Sequence, residues 1–260
     1  TATLKGQLAD VYTVTVLNDA TTISGLSTTV TLTAGAPDGV KSTLTAAPAS
    51  IVADDSTTST LTFVAKDVFG NSITGLDKLT PGVKDSKGTA PADGKVTTTA
   101  LTESETTPGT YTATLKGQLA DVYTVTVLND STAIGTLSTT VTLTAGALDG
   151  TTTLFGLTPD TIVANDSDVS TLALVAKDKF GNSIPGLTTL TMTVKDSQSE
   201  TPSSTQVSIS AVSESPTTPG TYTATLKGTL AGVYTVTPQS AGSDINDASD
   251  TPLSKTVTLV

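Results

Sequence analysis

Hydrophobic and polar residues alternate along several short runs of the chain. In GTYTATLKG, Tyr111, Ala113 and Leu115 fall on one side, while Thr110, Thr112 and Thr114 fall on the other. The run DVYTVTVLND has an inward set of Tyr123, Val125 and Val127. STTVTLTAG has Val141 and Leu143 inward, with Thr140, Thr142 and Thr144 outside. STLTFVAKD offers Leu61, Phe63 and Ala65, and its later counterpart offers Leu172, Leu174 and Ala176. A period of two places successive side chains on opposite faces, so each run predicts a half-buried β-strand. Clusters of Gly, Pro, Asn and Asp separate the runs, as tight turns require. No window carries a 3.6-residue period, and the predicted fold class is all-β.

The same pattern returns at a fixed distance. TATLKGQLADVYTVTVLND opens the chain at Thr1 and recurs unchanged 111 residues later at Thr112. A further copy, TATLKGTLAGVYTVT, begins another 111 residues on at Thr223. The pair IVADDSTTSTLTFVAKDVFGNSI and IVANDSDVSTLALVAKDKFGNSI, from Ile51 and Ile162, keeps that spacing. Solenoid repeats run roughly 20–50 residues, whereas one β-sandwich domain takes about 100. The period therefore predicts tandem β-sandwich domains, each folding around its own core. Residues 1–36 read as the C-terminal part of one domain, with complete domains at 37–147 and 148–260. The joints AGAPDGV and AGALDGT are short and each contains Asp-Gly, which predicts an extended, semi-rigid rod. Residues 1–36 supply only about three strands, too few to bury a core alone. Either their upstream part lies outside this sequence or a strand from elsewhere completes them.

Composition narrows the chemistry. Aromatics are only 3% of the chain, so the cores must be built from Val, Leu, Ile and Ala, with a few Tyr and Phe as anchors. The net charge is −11, and every basic residue is Lys. Nucleic-acid binding needs clustered positive charge, and anionic membrane surfaces favour it too; neither partner is expected. There is no Cys and no His, which removes disulfides, thiolate metal sites, the Ser-His-Asp triad and the commonest zinc ligand. No stretch is long and apolar enough to span a bilayer, and no cofactor is implied.

Several residues invite sharper readings. Tyr111 and Tyr222 each follow a Pro-Gly-Thr turn, an arrangement similar to the tyrosine corner of immunoglobulin-like sandwiches, and are read as structural. Asp54 and Asp55, with counterparts Asn165, Asp166 and Asp168, crowd one turn and are candidate calcium ligands. Calcium takes six to eight converging oxygens; no EF-hand spacing is present, so a solvated turn is the plainer reading and no metal is expected. Glu103, Glu105, Glu214 and Asp196 lie near predicted strand ends. A carboxylate pair can serve as acid and base, but nothing groups these with a pocket, and no catalytic residue is assigned. The segments LTPGVKDSKGTAPADGKV and LTMTVKDSQSETPSSTQV differ mainly in loop positions, where recognition tends to reside.

The phrases AKDVFGN (with Gly70 and Asn71) and AKDKFGN (with Gly181 and Asn182), together with PGTYTATLKG and VYTVTV, carry a family resemblance. The chain resembles the group 1 bacterial immunoglobulin-like (Big-1) domains of the invasin and intimin adhesins; Ser-Ile follows Gly-Asn here where the family often has Pro-Val. The resemblance implies a non-enzymatic extracellular segment of an adhesin, anchored in the outer membrane through a region outside this chain. It also implies that host binding sits in a distal domain and that these repeats are a stalk. The alternative is that the repeats themselves bind a host receptor, a glycan or a neighbouring bacterial surface through their divergent loops.

Overall fold

Runs of Thr and Val take up extended backbone because β-branched side chains are stiff at χ1 and pack well on a pleated surface. The computed structural model describes residues 1–260 and consists of strands and turns, with no helical segment. Strands β1 (Asp10–Asn18) and β2 (Thr21–Leu32) form an antiparallel hairpin. The first complete sandwich comprises β3 (Thr43–Ala47), β4 (Ser50–Val52), β5 (Ser59–Val64), β6 (Leu79–Lys84), β7 (Val96–Thr98), β8 (Thr102–Glu103), β9 (Thr110–Gly117), β10 (Asp121–Asn129) and β11 (Thr132–Thr144). The second comprises β12 (Leu154–Thr158), β13 (Thr161–Ile162), β14 (Ser170–Val175), β15 (Leu190–Lys195), β16 (Val207–Ile209), β17 (Ser213–Glu214), β18 (Thr221–Gly228), β19 (Gly232–Ser240), β20 (Ser243–Asp244) and β21 (Lys255–Leu259). By Cα proximity the chain divides into two compact units, Thr1–Thr144 and Ala145–Val260.

Each sandwich stacks two sheets. In the first, one sheet runs β3-β5-β9-β7 with β8 also on β9, and the other runs β4-β11-β10-β6. In the second, the orders are β12-β14-β18-β16 with β17 on β18, and β13-β21-β19-β15 with β20 on β19. The opening strand of each sandwich breaks at a proline, Pro48 or Pro159, and its two halves join opposite sheets. Proline has no N–H to give to a ladder, which suits it to such a break. The break is tied by Ser59 and Ser170, whose buried hydroxyls donate to the Pro48 and Pro159 carbonyls at 2.7 Å.

The inward residues of the alternating runs meet between the sheets. Leu61, Phe63, Tyr111, Leu115, Tyr123, Val125, Val127 and Val141 are all buried in the first sandwich, and the Phe63 and Tyr111 rings lie 6.1 Å apart in a tilted pair. Each such side chain contributes about 1.5–3 kcal/mol on burial. The hairpin β1–β2 gives the contrast. Val14 and Val16 match Val125 and Val127 in sequence, yet they are 39% and 52% exposed against 0% and 1%. Strands of identical sequence thus take their burial from their surroundings: β10 has β6 beside it and a second sheet facing it, whereas β1 pairs with β2 alone.

Candidate functional site

The AKDxFGNS motif folds into a tight loop directly after β5. One carboxylate oxygen of Asp67, Oδ1, accepts the N–H groups of Phe69 and Asn71, both at 2.9 Å. Gly70 closes the loop at φ 88°, a left-handed conformation that a side chain would oppose. The other oxygen, Oδ2, accepts the Asn71 amide at 2.8 Å and the Gly35 N–H at 3.0 Å. Asn71 uses its second amide hydrogen on the Gln7 carbonyl at 2.7 Å, while its Oδ1 accepts the Ala9 N–H at 2.9 Å. One Asp–Asn pair therefore clasps residues 7, 9 and 35 of the hairpin segment to the sandwich that follows. With four N–H donors on a carboxylate that is only 2% exposed, the Asp67 pKa is held down at about 2. The Asn71 amide is the largest cause and the Gly35 N–H the next.

The second sandwich repeats the loop. Asp178 accepts from Phe180, Asn182 and the Asn182 amide, and from the Gly146 N–H at 2.9 Å. Gly181 takes the same role as Gly70, at φ 85°. Burial pushes the Asp178 carboxyl up, but the Asn182 amide and the Gly146 N–H outweigh it and leave it below the ordinary range. Asp67 and Asp178 were not singled out from the sequence. Their signal was the fixed spacing of Asp four residues before Asn in both copies.

Tyr111 and Tyr222 anchor loops, although not as a tyrosine corner. The Tyr111 hydroxyl donates to the Ile73 carbonyl at 3.0 Å and accepts the Leu76 N–H at 3.1 Å. Tyr222 does the same with Ile184 and Leu187. The corner geometry, with a hydroxyl returning to the backbone four residues upstream, belongs to other tyrosines: Tyr123 on Leu119, Tyr234 on Leu230 and Tyr12 on Leu8. Tyr111 and Tyr222 also follow tight turns, closed by Thr110 N–H on the Thr107 carbonyl and Thr221 N–H on the Thr218 carbonyl, but their hydroxyls reach across to the loops after Ile73 and Ile184 instead.

The acidic candidates occupy structural positions. Glu103 accepts the Gly109 and Gly75 N–H groups, both at 2.7 Å; in the same way Glu214 braces Gly220 and Gly186. These N–H donors, Gly109 and Gly220 foremost, lower both carboxyl pKa values. Asp196 caps its own turn through Gln198 and Glu200, and Glu105 is exposed. Asp54 accepts the N–H groups of Thr57 and Ser56 and the Thr57 hydroxyl, and these hold its carboxyl well below the usual range. Asp55 lies 3.6 Å from Lys116, and Asp166 lies 3.3 Å from Lys227. Asn165 accepts the Ser167 and Asp168 N–H groups and donates to the Asp168 carboxylate. The Asp54 and Asn165 oxygens turn toward their own loops and those of Asp55 and Asp166 toward lysines of β9 and β18, and no group of three His, Cys, Asp or Glu side chains is placed to hold a metal ion.

Comparison with known proteins completes the picture. Among solved structures, invasin, a bacterial integrin-binding protein, is 29% identical with a TM-score of 0.69, over 97% of this chain and 46% of that one. InvD of Yersinia pseudotuberculosis is 28% identical with a TM-score of 0.62, over 86% of this chain and 58% of that one. FdeC, an Escherichia coli adhesin, shares the fold at 24% identity and a TM-score of 0.57, over 97% of this chain and 74% of that one. The chain thus spans about half the length of the first two. The family described as Invasin, domain 3 matches twice in tandem, over residues 38–146 and 149–260. With both sandwiches matched, this chain belongs to the invasin domain 3 family of immunoglobulin-like adhesin domains.

Proposed function

We propose that this chain is a non-catalytic spacer in a bacterial surface adhesin, whose tandem sandwiches at 37–147 and 148–260 hold a distal binding region away from the cell. The observation that carries this reading is the Asp67–Asn71 clasp. A loose linker has no use for a buried carboxylate under four N–H donors, whereas a joint that must keep its angle does. Glu103 and Glu214 support the non-catalytic part, since both oxygens of each are spent on loop N–H groups. A net charge of −11 suits a solvated surface segment. Kinship with invasin and InvD supports a cell-surface location, with outer-membrane anchorage through a region outside these residues. The distal region would then meet a host-cell receptor, a glycan or another bacterial surface. Small-angle X-ray scattering of the chain tests the spacer. An extended rod profile, loosened in Asn71→Ala, is expected; a compact globular profile would overturn it.

A further inference from the structure

The two sandwiches differ where one sheet ends. Strand β6 closes its sheet in the first sandwich and β15 closes the equivalent sheet in the second, with sequences LTPGVK and LTMTVK. Antiparallel neighbours either exchange two N–H···O bonds or none. Met192 lies opposite Pro238, which has no N–H, so this pair exchanges none. The Pro238 carbonyl accepts the Ile245 N–H at 3.1 Å on the far side of β19, as that assignment requires. The N–H and C=O of Met192 therefore point out from the open edge of β15. By alternation, so do those of Leu190 and Val194. In the first sandwich Pro81 stands at the Met192 position, opposite Val127, and deletes the middle outward donor. Proline on an edge strand is a common guard against strand addition. In the second sandwich the proline stands on the neighbouring strand, and the outward donors of Leu190, Met192 and Val194 all remain.

Beside this edge lies a cavity of about 590 Å³, within the size range of ligand clefts. Met192, Val194, Val207 and Ile209 supply its apolar wall, and Lys195 and Asp244 its charges. The Asp244 carboxylate is taken by the Gln239 amide at 2.8 Å. Lys195 belongs to none of the three ion pairs, Lys78–Asp130, Lys116–Asp55 and Lys227–Asp166. We infer that the open edge of β15 accepts an extended segment of a partner protein as an added strand, with alternate apolar side chains in the cavity and a carboxylate against Lys195. Backbone pairing supplies the affinity in this mode and side-chain pockets the selectivity, while the Lys195 ammonium, outside those ion pairs, offers one local cationic contact for a carboxylate of the added strand. The inference stands apart from the spacer reading, since a spacer can carry such a site.

The probe is a fluorescent peptide of about eight residues, alternating valine and threonine, with glutamate at both ends. Saturable binding by fluorescence anisotropy is expected, together with slowed hydrogen exchange at the Met192 and Val194 amides. Met192→Pro, which copies the first sandwich, is expected to weaken binding by at least about tenfold, since it removes a hydrogen bond and seats a ring on the edge. Its melting curve is expected to stay near that of the parent. Should Met192→Pro unfold the domain, Lys195→Glu tests the same site: it weakens the glutamate-ended peptide and favours a lysine-ended one. Absence of binding, or binding indifferent to both substitutions, would overturn the inference. Concentration-dependent self-association of the unliganded chain, abolished by Met192→Pro, would overturn it in favour of a second copy at this edge.

Discussion

Asp67 gathers four donors on two oxygens, and its stabilising role is tied to the charged state of that carboxylate. Folded, it titrates at about 2; an ordinary aspartate does so near 3.8. On acidification the unfolded chain takes up this proton first. The contribution is therefore complete above about pH 4 and is lost as pH falls toward 2. Asn71→Ala removes the donor that does most to depress the value and leaves the Gln7 carbonyl and Ala9 N–H without their partner. The expected cost at neutral pH is about 1–3 kcal/mol, with a flatter decline between about pH 4 and 2. Urea unfolding at several pH values measures both; an acid limb parallel to that of the parent would show that Asn71 does not set the Asp67 pKa. The tyrosines carry a related lesson. A Tyr after a Pro-Gly turn marked the right loops, but the hydroxyl partner depends on which carbonyl the fold brings within reach. For Tyr111 that is Ile73, 38 residues away, a separation no local pattern encodes.

Hairpins set the register of the sheets, and one of them holds a residue at odds with its backbone. Between β10 and β11, Asp130 and Ser131 both take positive φ, 50° and 65°, as a two-residue type I′ connection requires. The equivalent turn between β19 and β20 uses Ala241 and Gly242, with the glycine at the Ser131 position. Ser131→Gly therefore relieves a left-handed serine, and a gain of about 0.5–1 kcal/mol is expected. Differential scanning calorimetry checks this, as an unchanged or lowered melting temperature would contradict it. Long strands were legible because alternation follows from burial on one face, and β5, β9, β10 and β11 bury the residues that alternation selects. The strands of two or three residues, such as β4, β8, β13 and β17, escape that logic. They are too short to show a period and exist through the neighbour they pair with. The edge at β15 was illegible for a similar reason: Met192 is read as open only once Pro238 is known to face it.

Over the whole chain, charge makes calcium a natural suspect, whereas the geometry of the acidic turns argues for solvated turns. Acidic residues outnumber lysines 24 to 13, so any divalent cation gathers weakly around the surface and screens repulsion. A bound ion would do more: it would stabilise the folded state in proportion to the logarithm of its concentration over its dissociation constant. Binding of that kind needs several oxygens aimed at one point. The Asp54 carboxylate is instead committed to Thr57 and Ser56, Asp55 lies beside Lys116, and Asn165 is engaged with Ser167 and Asp168. Turning those oxygens toward a metal would forfeit the hydrogen bonds that close both turns. Melting curves in millimolar calcium and in chelator, at matched ionic strength, are therefore expected to coincide. A magnesium control separates screening from coordination, because screening treats the two ions alike. A calcium-specific rise in melting temperature, lost in Asp54→Ala, would place an ion in the turn that follows β4.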